Sequence, residues 1–156
     1  MADSTSGREF ERRVRASFMS QRVMETIGAR LTRVEPGEVE IELAYDERLT
    51  QQTGFLHAGV VSAVLDSACG YAAYSLMEPG CEVLSIEFKV NLLAPAVGEK
   101  LVARASVVKA GRTITVCRAD GWMVRGGAEV QVATMTGTMM KLQEREAAGG
   151  KGSEEA

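Results

Sequence analysis

The stretch from Ala58 to Met77, AGVVSAVLDSACGYAAYSLM, constrains this chain more than any other segment. It is apolar over most of its length, yet rich in Ala, Ser and Gly, and it carries Asp66 near its middle. It therefore reads as a buried core helix and not as a lipid-facing span. Pro79-Gly80 supplies a stop. A helix of this kind has to be covered by other elements, and the flanking sequence changes period from helix to strand.

Upstream, Val39, Ile41 and Leu43 alternate with Glu38, Glu40 and Glu42, a strand with one buried and one wet face. Glu35-Pro36-Gly37-Glu38 turns back onto a strand from about Ala29 to Val34. Four strands follow the helix. Leu84, Ile86, Phe88, Val90 and Leu92 are read as one face of the first. Leu101, Ala103, Ala105 and Val107 line the second, and Ile114 and Val116 begin the third. Val130, Val132 and Thr134 continue the fourth to about Leu142. Turns at Pro95 to Gly98, Ala110-Gly111 and Gly126-Gly127 are read as hairpins, which predicts that these four strands are antiparallel neighbours.

The expectation is an α+β architecture in which an antiparallel sheet of about six strands wraps one long central helix. Ala63, Ala68, Gly70, Ala72 and Ala73 permit close approach, in keeping with only 5% aromatic residues. Phe10, Val14, Phe18, Val23 and Ile27 recur at helical intervals and predict an N-terminal amphipathic helix stopping at Gly28. One domain is expected over 8–142, with disordered ends at 1–7 and 143–156. A wrapped single helix leaves sheet edges unpaired, so two protomers are expected to join edge to edge, with no stable isolated monomer.

Charge and composition narrow the function. A chain of 156 residues buries roughly 70% of its unfolded surface and needs no disulfide scaffold. Cys69, Cys81 and Cys117 cannot all pair and form no CxxC, so they read as buried thiols in a reducing, cytoplasmic setting. The first residues interleave arginines with Glu9 and Glu11, unlike a signal sequence. A net charge of −3 speaks against nucleic acid as partner, and a single histidine against a histidine metal cage; no metal or cofactor is expected.

Asp66 must be neutralised, paired or used, since an unpartnered buried carboxylate costs several kcal/mol. A surface position, or a structural hydrogen bond to a strand hydroxyl, is as good a reading as a catalytic one on chemistry alone. Ahead of it, Gln51-Gln52-Thr53-Gly54-Phe55-Leu56-His57-Ala58-Gly59 enters the helix through small residues whose N–H groups can bind an anion or a developing oxyanion.

The stretch HAGVVSAVLDSACGYA resembles the H-G-G-x(6)-D signature of the hotdog-fold thioesterases, in particular the PaaI-type branch acting on acyl-CoA. VLSIEFKVNLLAPAVGE resembles that family's strand and its N-x-x-x-P turn, and the likeness spans roughly residues 20 to 142. It implies a hotdog fold and hydrolysis of acyl-CoA thioesters, with Asp66 as general base or nucleophile. It implies that Ala58, where the family has glycine, and Gly59 bind the thioester oxygen through N–H groups. Gln51 falls near the family's orienting Asn or Gln, Ser85 matches the Ser or Thr that positions water, and Asn91 opens the N-x-x-x-P turn beside the substrate. Active sites at the interface of a homodimer or homotetramer are implied as well.

His57 is read as an organiser of the helix entrance, with general base as the alternative. Lys109 and Arg112, together with Lys89 and Arg118, are the candidate partners of the coenzyme A phosphates. Leu56, Val60, Val61, Tyr71 and Leu93 are candidates for the acyl pocket, and Trp122 and the methionines for its walls. The competing functions are a hotdog enoyl-CoA hydratase or dehydratase and a non-catalytic acyl-CoA sensor.

Overall fold

The computed structural model describes residues 4–143. Most of the ends expected to be disordered lie outside this range; within it, the N-terminal helix begins at Ser4, ahead of the expected Arg8. The amphipathic segment forms two helices, α1 (Ser4–Ser20) and α2 (Arg22–Ile27), because Gln21 adopts an extended conformation between them. The break rotates the apolar face, so Met24 is buried and Val23, expected inside, is half exposed. Gly28 ends α2 at a φ of 79°, the left-handed cap expected of it.

Six strands form one antiparallel sheet: β1 (Ala29–Glu35), β2 (Glu38–Ala44), β3 (Cys81–Leu92), β4 (Lys100–Ala110), β5 (Ile114–Arg125) and β6 (Ala128–Gln143). Their order across the sheet is β1-β2-β4-β5-β6-β3. The expected hairpin between β3 and β4 is therefore corrected. β3 pairs with β6 and β4 with β2, and the segment Leu93 to Glu99 crosses the end of the sheet between them. The crossing is anchored on the strands it passes, since Leu93 N–H donates to Val132 O at 2.8 Å and Arg125 donates to Val97 O and Pro95 O. The remaining turns are as read, with Gly126 and Gly127 both at positive φ between β5 and β6.

The central helix, α3 (Ala58–Tyr74), lies against β2 to β6 and ends three residues short of the expected Met77. Ser75 stops it: its hydroxyl donates to Ala72 O and accepts the Gly37 N–H of the β1–β2 turn, tying helix end to sheet. Val64, Leu65, Ala68, Cys69 and Ala72 are fully buried, as are Ile41, Leu43, Leu101, Met123, Met135 and Met139. Each Val, Leu, Ile or Met among them contributes about 1.5–3 kcal/mol. Close approach is set by Gly137, where an added Cβ would stand 3.3 Å from the Cβ of Cys69.

Three strand faces differ from their expected phase. On β5 the buried residues are Thr115, Cys117, Ala119 and Met123, so Ile114 and Val116 face outward, and the small side chains of Cys117 and Ala119 occupy the middle of the inward face. On β6 an irregularity opposite Gly121/Trp122 moves Ala133, Met135 and Met139 inward and Thr134 outward. On β3 a bulge between Ser85 and Glu87 switches the inward face, and Leu84, Ile86, Phe88 and Leu92 are all about half exposed. β3 is an edge strand with only β6 beside it.

α1 covers the remaining side of α3. Phe18 meets Tyr71 edge-on with ring centroids 5.5 Å apart, and Arg13 stacks over Tyr74 while donating to the carbonyls of Tyr74 and Met77 at the end of the helix. All three cysteines are buried and free, as expected.

Candidate active site

The loop from Tyr45 to His57 sets the entrance of α3. Asp46 starts a short 3-10 turn, Glu47–Leu49, by accepting the Arg48 N–H, and Tyr45 OH holds Gly54 O at 2.6 Å. The Gln51 side chain closes on Thr53, which donates its N–H to Oε1 and receives Nε2 on its hydroxyl. His57 N–H donates to Leu49 O and Leu56 N–H to Ala96 O, which fixes the angle of the helix start.

The first turn of a helix carries four N–H groups without intrahelical partners. Here Val60 and Val61 both donate to His57 O. Gly59 donates to Nδ1 of His57 at 2.9 Å, so the imidazole is the N-cap and its neutral form carries the proton on Nε2. A Cβ on Gly59 would sit 3.1 Å from that nitrogen, so glycine makes room for the cap. The Ala58 N–H alone is left open in this turn. Ala58 has negative φ, so replacing the family's glycine by alanine costs no backbone strain. The pairing of Gly59 with His57 corrects the expectation that both N–H groups serve an oxyanion together.

Beside Ala58 lies a cleft of about 420 Å³. It is walled by Phe55, Leu56, Val61, Leu93, Pro95 and Val132, with Gln51 as the polar side chain on its lining. Leu56, Val61 and Leu93 are thus brought together as read. Val60 packs into the core, and Tyr71 lies under α1 with its hydroxyl against Ser17, so neither lines this cleft. Phe55 and Ala96 were not singled out in the sequence, and Val132 only as a strand residue. Ala96 and Val132 meet the helix start only through the crossing of Leu93 to Glu99 over the sheet end, and Phe55 is a lone aromatic in the loop just ahead of the helix.

Asp66 is half buried, and Ser85 Oγ donates to its Oδ1 at 2.7 Å across from β3. Burial pushes the carboxyl above its ordinary value, and the Ser85 hydrogen bond pulls it partly back. Met139 packs beneath, its Sδ 3.3 Å from the Ser85 hydroxyl, a support that sequence reading missed. Burial also raises the thiols of Cys69 and Cys117, the latter to about 11, so neither offers a ready thiolate. Asp66 follows Ala58 by eight residues, about 12 Å along the axis of one helix.

The remaining candidates lie elsewhere. Asn91 accepts from Lys89 on the sheet face opposite Val90 and does not line the cleft. Arg118 pairs with Asp120, and Trp122 lies partly buried beside Val102 on the outer face, which corrects its placing in a pocket wall. Lys109 is at the exposed end of β4. Arg112 shares a small polar cleft with Lys141, Glu78 and Ala73 near the C-terminal end of α3, the end opposite Ala58. Among the described residues no group of His, Cys, Asp or Glu could hold a metal ion, and no helix is long and apolar enough to cross a membrane.

A long helix wrapped by a six-stranded antiparallel sheet is the hotdog fold. The thioesterase superfamily model matches residues 53–129. A 1,4-dihydroxy-2-naphthoyl-CoA hydrolase of Listeria monocytogenes is 30% identical over 94 residues, 60% of this chain and 76% of the relative. A thioesterase family protein from Silicibacter pomeroyi superposes with a TM-score of 0.85 at 57% identity, over 86% of this chain and 98% of that one. The Escherichia coli PaaI protein shares the fold, with a TM-score of 0.78 at 17% identity over 87% and 95% of the two chains. The chain belongs to the thioesterase superfamily, enzymes that hydrolyse thioesters.

Proposed function

We propose that this enzyme hydrolyses acyl-CoA thioesters to the free carboxylic acid and coenzyme A in the cytoplasm, with Asp66 as the reactive carboxylate. The observation that carries the reading is the half-buried Asp66, held by the Ser85 hydroxyl and paired with no cation among the described residues. A carboxylate so placed is more basic than one in water, which suits it to accept a proton from water as the latter attacks the thioester carbonyl. Ser85, holding Oδ1, orients the carboxylate and leaves Oδ2 for the water. The alternative is direct attack by an Asp66 oxygen on the thioester carbonyl carbon, which breaks the C–S bond, expels the coenzyme A thiolate and leaves an anhydride that water then opens to Asp66 and the free acid.

The carbonyl oxygen is received by the Ala58 N–H, at the positive end of the α3 dipole, with Gln51 beside it. His57 positions that N–H by capping its neighbour. A carbonyl group cannot touch both ends of a 12 Å separation, so the Ala58 N–H and Asp66 of one chain serve different substrates. The complete site is formed by two copies, each giving the helix start to one site and Asp66 with Ser85 to the other. The half-exposed apolar residues of edge strand β3 are the surface available for that pairing. Lys109 and Arg112, remote from Ala58 in their own chain, are then the cations offered to the coenzyme A phosphates.

Thiol release from acyl-CoA substrates of graded chain length tests the proposal. Asp66→Ala should lower kcat by about 10²–10⁴-fold, whereas activity within a few-fold of wild type would remove Asp66 from the role. Single-turnover hydrolysis in labelled water separates the two routes, because label enters the Asp66 carboxyl only when an anhydride forms.

A further inference from the structure

Ser85 lies exposed on an edge strand, and its backbone does not dictate where its hydroxyl points. A serine oxygen has three staggered positions about χ1, and the one adopted reaches Asp66 Oδ1 at 2.7 Å. Met139 stands directly opposite Ser85 in the β3–β6 pairing, is fully buried, and brings its Sδ to 3.3 Å from the serine oxygen. It can lie there because residue 137 is glycine: a Cβ at Gly137 would stand 2.7 Å from the Met139 Cε. A thioether accepts hydrogen bonds weakly and donates none, whereas a carboxylate accepts strongly. Ser85 therefore spends its one proton on Asp66, and among the described residues no group donates to its oxygen. The lone pairs of that oxygen stay open to water.

We infer that Met139 is a positioning residue for the hydrolysis: its thioether props the Ser85 hydroxyl against Asp66 Oδ1 without supplying a donor that would occupy the serine oxygen. The inference rests on the roles proposed above for Asp66 and Ser85. Any atom with no proton to donate serves as the prop, so the need is for an occupied δ position and not for sulfur. Leucine fills that position with carbon. Valine ends at its γ carbons and leaves it empty. With the space vacant the Ser85 hydroxyl turns away, and Asp66 loses the donor that orients it; a misplacement of about 1 Å at a reacting group costs up to about a hundred-fold in rate.

The test is kcat and KM for thiol release from whichever acyl-CoA of the graded series the wild type turns over fastest. Met139→Val should lower kcat by about ten-fold or more and leave KM within about two-fold. Met139→Leu should keep kcat within about three-fold of wild type. Met135 is equally buried on the same strand but lies opposite Val90, so Met135→Val should also keep kcat within about three-fold. On a Ser85→Ala background Met139→Val should change kcat by less than about two-fold, because the prop then has nothing to hold. Wild-type kcat in Met139→Val, a ten-fold loss in Met139→Leu, equal losses in the two valine variants, or a full further loss on the Ser85→Ala background each overturns the inference and leaves Asp66 in its role. Wild-type kcat in Asp66→Ala overturns the thioesterase mechanism and this inference together.

Discussion

Asp66 and Ser85 show how one hydrogen bond sets the working range of a carboxylate. Burial raises the pKa of Asp66 and the Ser85 donor lowers it, burial being the larger effect. A base works only when ionised, so kcat/KM should fall as pH falls through this raised value. Removing the donor in Ser85→Ala leaves burial unopposed and should move that acid limb to higher pH. A pH–rate profile of the variant checks the sign; a limb that stays in place or moves down would separate Ser85 from Asp66 in function. That Asp66 was special was legible in the sequence, because a charge in so apolar a helix has few explanations. The identity of its partner was legible only through the family resemblance. Ser85 sits on the inward face of β3 solely because the bulge falls just after it, and no residue pattern marks that bulge.

At the scale of the element, the start of α3 is where His57, Ala58 and Gly59 divide the labour. The imidazole caps Gly59, glycine leaves space for the ring, and Ala58 keeps its N–H free. His57→Ala should cost about 0.5–2 kcal/mol in urea unfolding, as for loss of an N-cap. It should also lower activity less than Asp66→Ala does, because the Ala58 N–H survives. The reverse order of the two activities would return His57 to the role of base. Spacing alone revealed the helix and its entrance. It did not reveal that Gly59 is consumed by the cap, since that depends on the His57 rotamer. The strands were legible as strands, but three had their inward face misassigned. β5 meets α3 through Cys117, Ala119 and Gly121, where hydrophobic alternation alone pointed to Ile114 and Val116. The order of the sheet was hidden for a different reason: a connection of seven residues, Leu93 to Glu99, looks alike in sequence whether it turns back or crosses.

The molecule as a whole has two edges, β1 and β3, and they are not equivalent. β1 is guarded by Arg15, which donates to the Leu31 carbonyl, whereas β3 presents Leu84, Ile86, Phe88 and Leu92, all about half exposed. Charge and covering side chains blunt an edge, and apolar ones invite a partner. If the Ala58 N–H and Asp66 act as proposed, the 12 Å between them makes that partner a requirement of the chemistry. Two variants, each inactive alone, can test it. Asp66→Ala removes the carboxylate. Ala58→Pro removes the N–H at the first helical position, where proline is well accepted, and His57 before it already has the extended conformation proline demands, with φ −60° and ψ 137°. In a mixed dimer one site would lose both groups, while the other would take Asp66 from one chain and the Ala58 N–H from the other. Unfolding and refolding the two variants together at equal amounts should therefore restore about a quarter of the wild-type activity, the share expected from random pairing in a two-fold dimer. Were each site built within one chain, mixing would restore nothing, and the shared site would have to be abandoned.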